Sequence, residues 1–162
     1  MLDILNVIRQ NHALEHATMH MLSRRNPYAR LVGRSTISGF LIYGTVDTRE
    51  VAAATTEALV RLQQGEAYLA VHPRCGTNLA VTSILAGTAA FGATLGRPRS
   101  KLDRLPLALT AATLAAIAAQ PLAHAIQQYV TTTPELDGVY IADVVLQERG
   151  KVVSHKVIIE RE

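Results

Sequence analysis

The chain has 162 residues, of which 49% are apolar, 4% aromatic and 18% charged, with a net charge of +3, one cysteine and a mean hydropathy of +0.17. That is too apolar for a disordered chain and too poor in cysteine for a disulfide-stapled fold. Two Phe, no Trp and so small a positive charge argue against a nucleic-acid surface of basic residues interleaved with aromatics.

In chain order, Met1-Leu2-Asp3-Ile4 lacks the basic stretch and apolar run of a signal peptide, so none is expected. Residues 3–23 read as a helix: Ile4, Leu5, Ile8, Leu14, Ala17, Met21 and Leu22 recur at three- and four-residue steps, and Asn26-Pro27 ends it. Residues 35–46 are rich in β-branched and aromatic types between turn residues and read as one strand. A second helix follows over 48–64. Asp47 and Glu50 are spaced as a capping box, Val51, Ala54, Ala58 and Leu62 form its apolar stripe, and Gly65 sits where a C-terminal cap belongs.

A short segment, 66–71, leads into His72-Pro73-Arg74-Cys75-Gly76-Thr77-Asn78. Pro73 and Gly76 interrupt regular structure there, and Thr77 or Asn78 is placed to cap a helix over 79–95. The connector 96–104 carries Arg97, Arg99, Lys101 and Arg104 against one acid, Asp103. A longer apolar helix over 105–129 contains Pro121, an expected kink. The tail alternates as two strands, 139–147 and 151–160, joined by a turn at Glu148-Arg149-Gly150 into an antiparallel hairpin. The fold class expected is α+β: a His-bearing helix, one amphipathic helix, a small antiparallel sheet and a two-helix hydrophobic hairpin. As organisation, we expect a single domain over 1–162, divided into a motif region at 1–78, the hairpin at 79–129 and the β-hairpin at 130–162.

The charge deficit is local. No Asp, Glu, Lys or Arg occurs from Cys75 to Gly96 or from Leu105 to Pro134, and both runs are long enough to cross a bilayer. They are rich in Ala, Thr and Gly, so they would insert better as a pair, with Ala86, Gly87, Ala90, Gly92 and Ala93 allowing close approach to the Ala-rich second helix. A bacterial inner-membrane hairpin is therefore expected, with the lipid bilayer as partner and cytoplasmic flanks, and with homo-oligomers through the Ala/Gly-rich helices. The competing reading is a helical hairpin in the core of a soluble oligomer.

The sharpest chemical signal is His12-Ala13-Leu14-Glu15-His16, with His20 four residues on. Histidines four apart on a helix share one face and can reach one ion, as zinc sites require. The order H-x-x-E-H is that of the inverzincins, in which the Glu is the general base toward a metal-activated water. The alternatives are three partly exposed histidines or a buried polar network. Further ligands are sought in His72 and Cys75, because imidazole and thiolate both suit zinc. Cys75 has two other readings, a nucleophile paired with a His or a small buried hydrophobe. Arg74 is a candidate for stabilising an oxyanion or for contacting a headgroup. His124 lies in the second apolar run, where an ionisable group suggests function or an interfacial position, and His155 reads as structural or exposed.

The segments Asn11-His12-Ala13-Leu14-Glu15-His16-Ala17-Thr18 and His72-Pro73-Arg74-Cys75-Gly76-Thr77-Asn78 resemble motifs of the YqhQ-type family of bacterial membrane proteins. The whole chain also resembles a smaller bacterial family that opens with Asn-His-Ala-Leu-Glu-His-Ala-Thr and carries a paired hydrophobic region. The resemblance implies membrane association, a metal centre, and His12, Glu15, His16, His72, Arg74 and Cys75 as the shared polar set; His20 departs from the YqhQ-type pattern. The functional expectation is a membrane-associated zinc hydrolase, with a peptidase as its narrower form, with zinc on His12, His16 and His72 or Cys75, Glu15 as base and Arg74 toward the oxyanion. Its competitors are a closed structural metal site that uses all four of those ligands and a metal-free self-associating scaffold.

Overall fold

The structure, a computed structural model, describes residues 4–95, 101–149 and 152–162. These fall into two compact units. The first holds residues up to His72 and from 128 onward, and the second runs from Pro73 to Gln127.

The first unit is two helices on one face of a four-stranded antiparallel sheet. Helix α1 spans Ile4–Arg25, strands β1 and β2 span Val32–Thr36 and Gly39–Tyr43, helix α2 spans Thr48–Gln63, and a 3-10 turn covers Ala67–Ala70. The chain returns to this unit as β3, Val139–Arg149, and β4, Val152–Arg161, giving the strand order β1-β2-β4-β3. The single strand expected over 35–46 is in fact two: Thr36 pairs with Gly39 across a tight turn at Ile37-Ser38. Gly39 explains the reversal. Its φ of 132° lies where a side chain is strained, and a Cβ there would meet the Val157 carbonyl. The tail hairpin forms with nearly the expected limits; the centre of its turn lies outside the described residues.

Alternation along the strands explains which face is buried. Phe40 opposes Val157 and Ile42 opposes His155, and all four are fully or almost fully buried with Ile159 and Val139. Against this face α1 contributes Ala13, Leu14, Ala17, Met21 and Leu22, and α2 contributes Val51, Ala54, Ala58 and Leu62. The alanines let the two helices approach closely. Asp47 caps α2 by accepting from the Arg49 N–H at 2.7 Å, and Gly65, with φ of 93°, follows its last turn as expected. His155 is a core residue, its Nδ1 3.3 Å from the Thr48 hydroxyl.

The second unit is a pair of helices packed on each other, α3 over Gly76–Thr94 and α4 over Lys101–Ile126. The start of α3 departs from expectation. Cys75, not Thr77 or Asn78, is its N-cap, the sulfur accepting from the Thr77 N–H at 3.4 Å. Asn78 is thereby inside the first turn, where its amide donates to the Pro73 carbonyl and its side-chain oxygen accepts from Gln127. Helix α4 begins four residues before the apolar run, taking up Lys101 to Arg104 from the expected connector, and passes into a π-turn at Gln127–Thr131. Residues 96–100, on which the hairpin connection falls, lie outside the described residues.

The residue distribution in this unit is inverted relative to a water-soluble core. The better-covered positions recur every three to four residues and are mostly small: Ala86, Ala89, Ala90 and Ala93 on α3, where Val81 and Leu85 are covered to the same degree, and Ala108, Ala111, Ala112, Ala115, Ala119 and Ala123 on α4. The large side chains, among them Leu79, Ile84, Phe91, Leu109, Leu114 and Ile117, are exposed. The stretch Asp103–Thr131 is long and apolar enough to cross a membrane. α3 and α4 each carry less sequence amphipathicity than α1 or α2, because both their faces are apolar.

Candidate metal centre

The four-residue steps in α1 place His12, His16 and His20 along one side of the helix, and the 3-10 turn and its exit bring His72 to the same side. The imidazoles form a row: the centroids of His12 and His16 are 4.3 Å apart, those of His16 and His72 5.8 Å, and those of His72 and His20 4.8 Å. His16 is almost fully buried, and the other three are half-buried.

Backbone carbonyls set the tautomers of this row. His12 Nδ1 lies 2.9 Å from the Thr131 carbonyl oxygen, and His16 Nδ1 lies 2.7 Å from that of Ala70. A carbonyl can only accept, so each Nδ1 carries the proton and donates it; in the neutral ring the lone pair is then on Nε2. This is the arrangement that metal-ligating histidines use, the far nitrogen held by an outer acceptor while the near one faces the ion. His20 has the opposite polarity. Its Nε2 is 2.8 Å from the Val71 carbonyl oxygen. His20 and His16 thus read consecutive carbonyls of the same turn.

That turn is itself tied down. Arg61, on the last turn of α2, forms a two-pronged pair with Glu66 at 2.9 and 2.6 Å, and Tyr68 donates to the same carboxylate at 2.7 Å. The charge-assisted bonds from Arg61, then the hydroxyl of Tyr68, hold the Glu66 carboxyl down at about 2, and the carboxylate in turn pushes the Tyr68 phenol up.

Glu15 is buried on the α1 side that meets the sheet. Its carboxylate accepts from the Ser35 hydroxyl and lies over the backbone of Gly33, where a Cβ would run into it. Asn11, one turn earlier and fully buried, donates to the carbonyls of Thr36 and Ile37 at 2.8 and 3.1 Å and accepts from Arg161 at 2.5 Å. Burial lowers the Arg161 guanidinium below its ordinary value. Of the sequence-derived set, the first unit brings together His12, His16, His20 and His72. The second carries Cys75, buried at the α3 N-cap, and Arg74, exposed beside it, as well as His124, which is exposed on α4. Gly33, Ser35 and the carbonyls of Ala70, Val71 and Thr131 were not anticipated. Only Ser35 and Gly33 have a sequence signature, their two-residue spacing on one strand face.

A helix-and-sheet unit bearing a histidine row, and a second unit of two apolar helices, define an α+β protein with a candidate metal centre. The chain belongs to the family described as domain of unknown function DUF6391, whose profile matches residues 7–144. It is similar to an uncharacterized protein of Picosynechococcus sp., 41% identical over 139 residues that cover 80% of this chain and 68% of the relative. No solved structure matches it.

Proposed function

We propose that this protein is a membrane-associated, metal-dependent hydrolase. The observation that carries the reading is the pair of Nδ1–carbonyl hydrogen bonds at His12 and His16, which in the neutral rings puts each lone pair on Nε2, the nitrogen turned away from the carbonyl. His12 and His16 give two imidazole donors, and Cys75 is the thiolate that we assign as the third. Two imidazoles and a thiolate suit zinc. Cys75 follows His72 by three residues, so chain length alone confines it to within about 11 Å of that residue's Cα.

When bound, zinc supplies Lewis acidity and brings the pKa of a water toward about 7. Glu15, held by Ser35, takes the proton of the attacking water and returns it to the leaving group. Arg74 offers its cation to the developing oxyanion. The exposed Leu, Ile and Phe side chains of α3 and α4 support placing that pair in lipid, where small residues pack inside and large ones face acyl chains. The likeness of both motifs to the YqhQ-type membrane family points the same way.

Metal analysis of protein purified without chelator tests this reading. Wild type and Glu15→Gln retain one zinc per chain, His16→Ala loses it, and only wild type hydrolyses an ester or peptide probe. Protein that carries no metal would overturn the proposal. The His72 ring, 5.8 Å from that of His16, favours a second reading in which His72 fills the fourth position of a closed structural site. In that case wild type carries zinc, has no hydrolytic activity, and unfolds when His72 or Cys75 is replaced.

A further inference from the structure

We infer that Gly33 and Ser35 are positioning residues for Glu15, a cradle built into β1 that fixes the one carboxylate on the His-bearing helix; this rests on the hydrolase reading above. Glu15 lies between His12 and His16 in sequence, but on a helix it projects to the flank of their face and meets the sheet. Among the described residues β1 is the edge strand that α1 covers at this point. Its side chains alternate: Val32 and Arg34 are exposed, whereas Gly33 and Ser35 are half-buried and face the helix.

The two inward positions do different work. Ser35 donates a hydrogen bond to Glu15 Oε2, giving the buried side chain a specific partner. Gly33 gives room. Its φ lies outside the left-handed region, so no backbone conformation demands glycine there. What demands it is Glu15: an added Cβ would come within 2.7 Å of the carboxyl carbon and 2.8 Å of Cγ. Contacts that short force one of the two to move. A side chain at position 33 therefore requires the Glu15 carboxylate, or β1 beneath it, to shift.

The cradle holds both ends of the carboxylate, one oxygen by a hydrogen bond and the other by a fitted surface, so its χ angles are fixed before any substrate arrives. A general base that need not search for its rotamer loses less entropy at the transition state. A Glu kept only to satisfy a half-buried serine would need no glycine beneath it.

The test is a pair of measurements. The first is thermal unfolding of Gly33→Ala in the wild-type and Glu15→Ala backgrounds. Gly33→Ala lowers the Tm by about 4 °C or more, and the penalty falls to about 1 °C once Glu15 is truncated. Equal penalties in both backgrounds would overturn the cradle, whatever the protein's activity. The second uses zinc-loaded protein and p-nitrophenyl acetate. Ser35→Ala keeps its zinc and its KM but loses about 10- to 100-fold in kcat, and Ser35→Thr, which restores the hydroxyl, recovers most of it. Loss of zinc or a rise in KM without a fall in kcat would refute the positioning role. Absence of hydrolysis in the wild type refutes the hydrolase reading and with it Glu15's role as base, while the Tm coupling still decides whether Gly33 exists for Glu15.

Discussion

Replacing Asn11 with Ala is the most direct probe of how α1, and with it the histidine row, is locked in place. Asn11 is fully buried and uses three hydrogen bonds, two amide donors to the Thr36 and Ile37 carbonyls and one acceptor for Arg161. The first two fix α1 to the β1–β2 turn, and the third fixes it to the last strand. Each neutral bond contributes about 1 kcal/mol net and the charge-assisted one about 1.5–3 kcal/mol, so their joint loss is about 3–5 kcal/mol. Compensation is partial: Thr36 is half-buried, whereas Ile37 and Ser38 of the turn are exposed, so water replaces one of the lost amide donors more easily than the other. Arg161 retains Gln10 at 2.9 Å and the Val7 carbonyl at 3.3 Å, which favours the lower half of that range. For a chain of this size 1 kcal/mol corresponds to about 2–4 °C, so Asn11→Ala should lower the Tm by about 6–16 °C. Circular dichroism melts with matched zinc content are the assay. A shift below about 2 °C would mean that these bonds do not hold the helix, and the account of how His12 and His16 are positioned would fail with them.

Three further outcomes follow from the structure. The Glu66 carboxyl is depressed to about 2 by Arg61 and Tyr68, so its contribution is fully present above the ordinary carboxylate range and disappears as the pH falls through about 2; in Glu66→Gln that part of the acid dependence should vanish, as pH-dependent melts would show. The pair is only half-covered, and its effect should shrink in high salt. Leu114→Arg, on the outward face of α4, should lower the membrane-extracted yield, since an arginine at a span's centre costs about 2.5–3.5 kcal/mol of insertion, whereas on a solvated surface it would cost almost nothing. Chelation should destabilise the wild type by about 2.7 kcal/mol if zinc was present at about 100 times its Kd, a loss read as a lower Tm and absent in His16→Ala.

Periodicity located the elements because it reports burial, and burial decided them. α1 and α2 each have one covered face, and the tail strands alternate, so their limits were readable to within a few residues. The division of 35–46 was not readable by that means, since Ser38 and Gly39 sit within a run whose β-branched neighbours suit either one strand or two. What decides is Gly39, whose backbone has to pass against the Val157 carbonyl, a contact with a residue 118 positions away. Likewise, Thr77 and Asn78 are better caps than cysteine by intrinsic preference. The Asn78 bonds to Pro73 and Gln127 use its side chain elsewhere, and the sulfur takes the capping position.

The histidines were legible and their tuning was not, for a physical reason. A four-residue step is a property of the helix itself, so His12 and His16 could be placed on one face from the sequence alone. Which nitrogen carries the proton depends on what lies behind each ring, and there the partners are main-chain oxygens of Thr131 and Ala70. Every residue has a carbonyl, so such a partner leaves no mark in the sequence. It is nonetheless specific, because the 3-10 turn that aims the Ala70 carbonyl is held by Arg61, Glu66 and Tyr68, and these do leave one. The same turn sets His20 the other way round through Val71. The turn thus assigns opposite polarities to His16 and His20, one helical turn apart: in the neutral rings the lone pair lies on Nε2 of His16, as it does on His12, but on Nδ1 of His20, so the third histidine presents a different atom from the first two.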